Sequence, residues 1–151
     1  MRKINDDFQT PEWVCSYMTS LIPSGVKSIL EPTPGMGNLV RSMNGYSVTA
    51  PEDFWKLEKD RWDCIVMNPP FSPMAIGYKI LYACMDLSDR IIALMPWLTI
   101  INSEKRTEDI SNFGLRSITH LPRRAFSGSR VQTCILDMEY GYKGNIELRF
   151  L

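Results

Sequence analysis

Histidine is almost missing from this sequence: His120 stands alone among 151 residues. A lone imidazole argues against histidine-based triads and most metal centres, so no metal is expected. The four cysteines, Cys15, Cys64, Cys84 and Cys134, are widely separated and form no C-x-x-C pair. Each sits among apolar neighbours, which fits buried free thiols in a reducing, cytoplasmic setting better than disulfides or zinc. Net charge is also missing, with 17 basic residues against 17 acidic ones. No overall field therefore draws the chain to polyanions, and affinity for nucleic acid must come from local patches or from a partner. No apolar run approaches the roughly 18–20 residues of a membrane-spanning helix, and no membrane association is expected. Residues 1–7 lack the apolar core of a signal peptide. There is no internal repeat, low-complexity tract or linker. Residues 1–151 are read as one domain, long enough to bury a core. At 44% hydrophobic and 23% charged, the composition is ordinary for a globular protein.

The most informative stretch runs from Asp63 to Phe71. Cys64, Ile65, Val66 and Met67 are apolar without alternation, as in a strand covered on both faces. The run stops at Asn68. Pro69 and Pro70 fix their own φ and donate no backbone hydrogen bond, and a residue before proline is pushed into extended geometry. Asn68 is thus expected to be held extended at the strand's carboxyl end, where open α/β sheets bind ligands. Phe71 follows this rigid corner.

A second stretch, Glu31-Pro32-Thr33-Pro34-Gly35-Met36-Gly37-Asn38, links a short strand at 28–30 to a helix near 39–43. Gly35 and Gly37 permit positive φ and close approach of a ligand to the backbone. A G-x-G alone is weak, since a tight turn needs glycine for itself. Upstream, Thr10 is expected to cap a helix with Pro11 in its first position, and Val14, Met18, Leu21 and Ile22 mark the buried face. Further strands are expected at 46–50, 90–96, 115–122, 131–138 and 146–150. Residues 51–57 read as a turn and a short helix, and a helix runs through Tyr78 to Met85. The segment 97–106 leads into a polar stretch, and residues 141–145 should form a hairpin between the last two strands. Arg123, Arg124 and Arg130 flank Phe126, Gly128 and serines in a loop suited to phosphates and a base, or simply to solvent.

Asn68-Pro69-Pro70-Phe71, after Asp-x-Ile-Val-Met, resembles the catalytic motif of S-adenosylmethionine-dependent amino-methyltransferases, above all the N6-adenine DNA methyltransferases. Similar motifs occur in guanine-N2 RNA methyltransferases and in glutamine methyltransferases of release factors. Leu-Glu-Pro-x-x-Gly-x-Gly-Asn resembles their first cofactor motif, and Phe8-x-Thr10-Pro11 the segment that precedes their fold. The resemblance implies a class I, Rossmann-like fold: a three-layer, doubly wound, mostly parallel sheet with an antiparallel C-terminal strand. It implies S-adenosylmethionine as cofactor, with Phe8, Thr10, Pro11, Glu31, Pro32, Gly35 and Gly37 around its methionine portion. It implies that Asn68 and Pro69 accept hydrogen bonds from the target amine while Phe71 stacks on the base.

The implied activity is site-specific DNA adenine methylation. The alternatives are an RNA base methyltransferase and a non-catalytic, nucleic-acid-binding relative. DNA or RNA would be the partner, with a specificity subunit or a second copy also possible, because the chain has no room for a target-reading insertion. It departs from the pattern between Gly37 and Asp63, where only about 25 residues remain and a parallel crossover needs a dozen or more. One βα unit is expected to be shortened or lost. Glu52, Asp53 and Phe54 are left as candidates for the cofactor's adenosine, the acids for ribose hydroxyls or the adenine amine and the ring for stacking.

Overall fold

The unbroken apolar run becomes strand β3 (Cys64–Met67), buried at all four positions. The computed structural model describes residues 9–151, and Phe8 lies outside them. Six further strands join β3: β1 (Ser28–Leu30), β2 (Ser47–Thr49), β4 (Arg90–Pro96), β5 (Leu115–His120), β6 (Thr133–Glu139) and β7 (Glu147–Phe150). They form one sheet in the order β2-β1-β3-β4-β6-β5-β7. Pairing is parallel from β2 through β4, and β6 runs antiparallel to both β4 and β5.

Strand alternation divides the core between two faces. Ile65 and Met67 pack with Ile80, Leu81 and Cys84 of helix α3 (Met74–Cys84) and with Ile110 and Phe113 of helix α5 (Glu104–Phe113). Cys64 and Val66 pack with Val14, Cys15 and Met18 of α1 (Glu12–Ser20) and Leu39 of α2 (Asn38–Arg41). The result is the three-layer, doubly wound α/β arrangement expected from the sequence. All four cysteines are buried free thiols. One βα unit is indeed shortened, for β2 is an edge strand and reaches β3 through a single 3-10 turn, Phe54–Lys56.

Two local expectations fail, and two helices were not foreseen. Residues 141–145 do not close a hairpin: β7 pairs parallel with β5. Strand β6 already has β4 on one side and β5 on the other, so it has no edge to offer. The chain instead crosses the end of β5, anchored by the Gly141 amide on the Phe113 carbonyl at 2.8 Å. Thr10 does not cap α1. Pro11 occupies that position without a side-chain bond, and the Thr10 hydroxyl is used elsewhere. The polar stretch after 97 contains a short helix α4 (Leu98–Ile101) and then α5, whose cap is the Ser103 side chain accepting from the Arg106 amide.

One ion pair clasps the change from parallel to antiparallel pairing. Arg90 Nε and Nη2 donate to the two Asp137 carboxylate oxygens at 2.8 and 3.0 Å, from side chains only 16% and 6% exposed. Breaking a buried pair leaves a charge without its partner, which costs more than the pair's net worth. Arg90→Met should therefore destabilise the protein by about 3–5 kcal/mol in urea unfolding. Adding Asp137→Leu should recover most of that loss.

Candidate active site

β1 and β3 lie side by side in register, with Ile29 opposite Cys64 and Leu30 opposite Ile65. The chain therefore leaves both strands at one edge of the sheet. Glu31, Pro32, Thr33, Pro34 and Gly35 follow β1, and Asn68, Pro69, Pro70 and Phe71 follow β3. Together they line one cleft of about 690 Å³. Thr10, Glu52, Asp53 and Phe54 line the same cleft. Pro11, Gly37, Arg123, Arg124 and Arg130 are not among its lining residues.

Thr10 is the hub. Its hydroxyl accepts from Asn68 Nδ2 at 2.7 Å, and its carbonyl accepts from Asn38 Nδ2 at 3.0 Å. The segment before α1 is thus tied to the end of β3 and to the start of α2, which follows the turn after β1. Thr33 adds a long bond, its hydroxyl donating to the Asn68 carbonyl at 3.5 Å. With Nδ2 committed to Thr10, Oδ1 is the acceptor that the Asn68 amide offers to the cleft. The Pro69-Pro70 corner is seated against α3 at Gly77, where a Cβ would lie 2.9 Å from the Pro70 carbonyl oxygen. Only glycine lets the helix come this close.

Glu31 is the electrostatic anomaly. Its carboxyl group is 1% exposed, accepts from the Thr33 amide at 2.8 Å, and is pushed up to about 8 by burial. Among the described residues no lysine or arginine pairs with it. A buried acid without a cation, beside a turn whose Gly35 and Gly37 have φ of 53° and 86°, suits a ligand that brings its own positive charge.

The far end of the cleft is walled by the turn after β2. Asp53 Oδ1 accepts from the Trp55 amide at 3.0 Å and caps that turn, while Glu52 is exposed. Phe54 is half-buried and meets Trp55 edge-to-face at 4.9 Å. Trp55, 60% exposed on the cleft, escaped the sequence reading, although it adjoins three residues that were singled out. The loop after β5 sends Phe126 and Ser129 into the cleft rather than its arginines. Arg124 lies over the Trp13 ring at 4.8 Å, and all three arginines are exposed.

Solved structures share this architecture across the chain. A class I S-adenosylmethionine-dependent methyltransferase from Listeria monocytogenes superposes with a TM-score of 0.76 at 16% identity, over 100% of this chain and 68% of that one. The fold is that of the class I methyltransferases. A type I restriction-modification methyltransferase subunit from Streptococcus thermophilus gives 0.71 at 14% identity, over 98% of this chain and 48% of its own. The 23S rRNA methyltransferase ErmE gives 0.63 at 15% identity, over 88% and 69%. This chain thus spans about half the length of the restriction-modification subunit. No protein-family model and no curated protein sequence matches it. Within this methyltransferase fold, Glu31 and Gly35 sit at the end of the first strand and Asn68 at the end of its parallel neighbour.

Two tests follow from the geometry. A carboxyl held at about 8 when folded, against an ordinary 4.5, keeps its proton in the native state after the unfolded chain has released it. The native state then binds more protons, so stability falls as pH rises through that window. Glu31→Gln should remove this slope. Its Tm should exceed that of the parent most at pH 8 and converge with it near pH 4.5. Gly77→Ala should lower stability by about 1–3 kcal/mol in urea unfolding, because the added methyl group must displace the Pro70 carbonyl or the helix.

Proposed function

We propose that this protein transfers a methyl group from S-adenosylmethionine to an exocyclic amine, namely N6 of adenine in DNA. The observation that carries the reading is the meeting of Asn68-Pro69-Pro70-Phe71 with Glu31 and Gly35 on one cleft. The residues present fit the cofactor. Glu31 supplies a buried carboxyl group that the cationic amino-acid end would draw into its ionised form, the Gly35 turn allows close backbone approach, and Phe54 and Trp55 offer aromatic surface for the adenine. Glu52 and Asp53, exposed on the same wall, are assigned to ribose hydroxyls.

When bound, the cofactor supplies an electrophilic methyl group on a sulfonium. The protein's task is to present an amine to it. The nitrogen of adenine is conjugated and a poor nucleophile. Asn68 Oδ1 and the Pro69 carbonyl each accept one of its N–H groups and draw it away from the ring plane. Its lone pair is thereby freed to attack. Thr10 acts as a positioning residue: by holding Nδ2 it fixes which face of the amide meets the substrate. The two prolines and Gly77 fix the corner before substrate arrives, so little reorganisation remains for the reaction itself. Phe71 stacks on the base, an interaction worth roughly 1–3 kcal/mol. A base in a duplex must be flipped out to reach this depth. Arg123, Arg124 and Arg130, exposed on the neighbouring loop, are assigned to phosphates.

The likeness to type I modification subunits supports DNA as substrate, together with a separate specificity subunit or a second copy to read the target. The likeness to ErmE supports RNA as the second reading. Incubation with methyl-labelled cofactor and either DNA or RNA, followed by nucleoside analysis, decides between them. N6-methyladenine in DNA is expected. Label confined to RNA overturns the DNA assignment, and the absence of label in both overturns the enzyme. In the active protein, Asn68→Ala should lower kcat by about 10²–10³-fold while cofactor affinity measured by calorimetry stays within about twofold. Thr10→Val should lower kcat less, by roughly tenfold, through the freed amide.

A further inference from the structure

Strand β7 ends the sheet on the side away from β2, and among the described residues no strand covers its outer edge. Soluble proteins ordinarily blunt or cover such edges. Here apolar and charged residues alternate. Ile146, Leu148 and Phe150 share one face and are 48%, 54% and 72% exposed. Glu147 and Arg149 share the other, where Arg149 Nη2 donates to Glu147 Oε1 at 2.7 Å. The amide of Leu151 donates to the His120 carbonyl at 3.3 Å. Odd-numbered backbone groups therefore face β5, and strand alternation turns the N–H and C=O of Leu148 and Phe150 outward.

We propose that β7 pairs antiparallel with β7 of a second copy about a two-fold axis at Leu148, joining two sheets into one. In this register Leu148 meets the partner's Leu148 and Ile146 meets the partner's Phe150. On the opposite face Glu147 meets Arg149 of the partner subunit, and Arg149 meets the partner's Glu147. The outward backbone groups are the ones this register pairs. A shift of the axis by one residue keeps the outward backbone groups paired but sets Glu147 against itself or Arg149 against itself, like charge on like charge. The strand is therefore charge-complementary to its own copy in one register, as a two-fold interface requires. The pairing uses the edge strand remote from the cleft and does not rest on the methyltransferase reading.

Sedimentation equilibrium over a range of micromolar to millimolar protein should show the mass rising from the 17.4 kDa chain toward twice that value. Glu147→Arg places like charges across the seam and should weaken association at least about tenfold, and adding Arg149→Glu should return it to within about threefold. Circular dichroism and Tm confirm that each variant folds. Leu148→Cys supplies an independent reading, because the four native thiols are buried. Mild oxidation should join two copies of that variant covalently, whereas Glu147→Cys, which faces Arg149, should not crosslink. A monomer at every concentration, a dimer indifferent to Glu147→Arg, or equal crosslinking at both positions overturns the proposal.

Discussion

The parallel register of β1 against β3 is the constraint on which the cleft depends. Two strands that run the same way and end together deliver two turns to one place. The first carries a buried acid and glycines, the second an asparagine before two prolines. Neither turn forms a site alone. Their distance in sequence is bridged by ladder hydrogen bonds, and the segment before α1 locks the pair through Thr10. A change that slipped the register by one residue would turn Ile65 and Met67 into the opposite core and withdraw Asn68 from the cleft, so packing and site geometry are enforced together.

Much of this was legible in the residues. An apolar run without alternation identified β3 as a doubly covered strand, because burial on both faces removes the period-two signal. The proline-stiffened turn and the glycine turn announced themselves through backbone chemistry, which is local. The same holds for the shortened connection, since a chain that lacks residues cannot build a crossover. What escaped was set by tertiary context. Residues 141–145 look like a hairpin turn, and the chain does reverse there, but the partner of β7 depends on which edge is free. Thr10 looks like a cap because threonine before proline often is one, yet its hydroxyl meets an amide 58 positions away in sequence. Helix α5 was hidden in a charged stretch. Ser103 was a readable cap, while Ile110 and Phe113 made too thin an apolar stripe to stand out.

Glu31 shows how the two demands on the protein diverge. A carboxyl group buried without a cation opposes folding at neutral pH, and a hydrophobic residue of similar size would pack there without that penalty. It persists at the mouth of β1, in the cleft, beside a turn open to backbone approach. Structural interest alone does not account for such a choice. At this position the fold gives up stability, and the position lines the cleft.

The shortened βα unit has its own result. At that end of the cleft the wall is a single turn, held by the Asp53 cap and the Phe54–Trp55 contact, and no sheet hydrogen bond depends on its side chains. Glu52 and Trp55 can be exchanged without disturbing the strands behind them. Evolution, or an engineer, can thus reshape the outer half of the cleft while the inner half and the scaffold stay as they are.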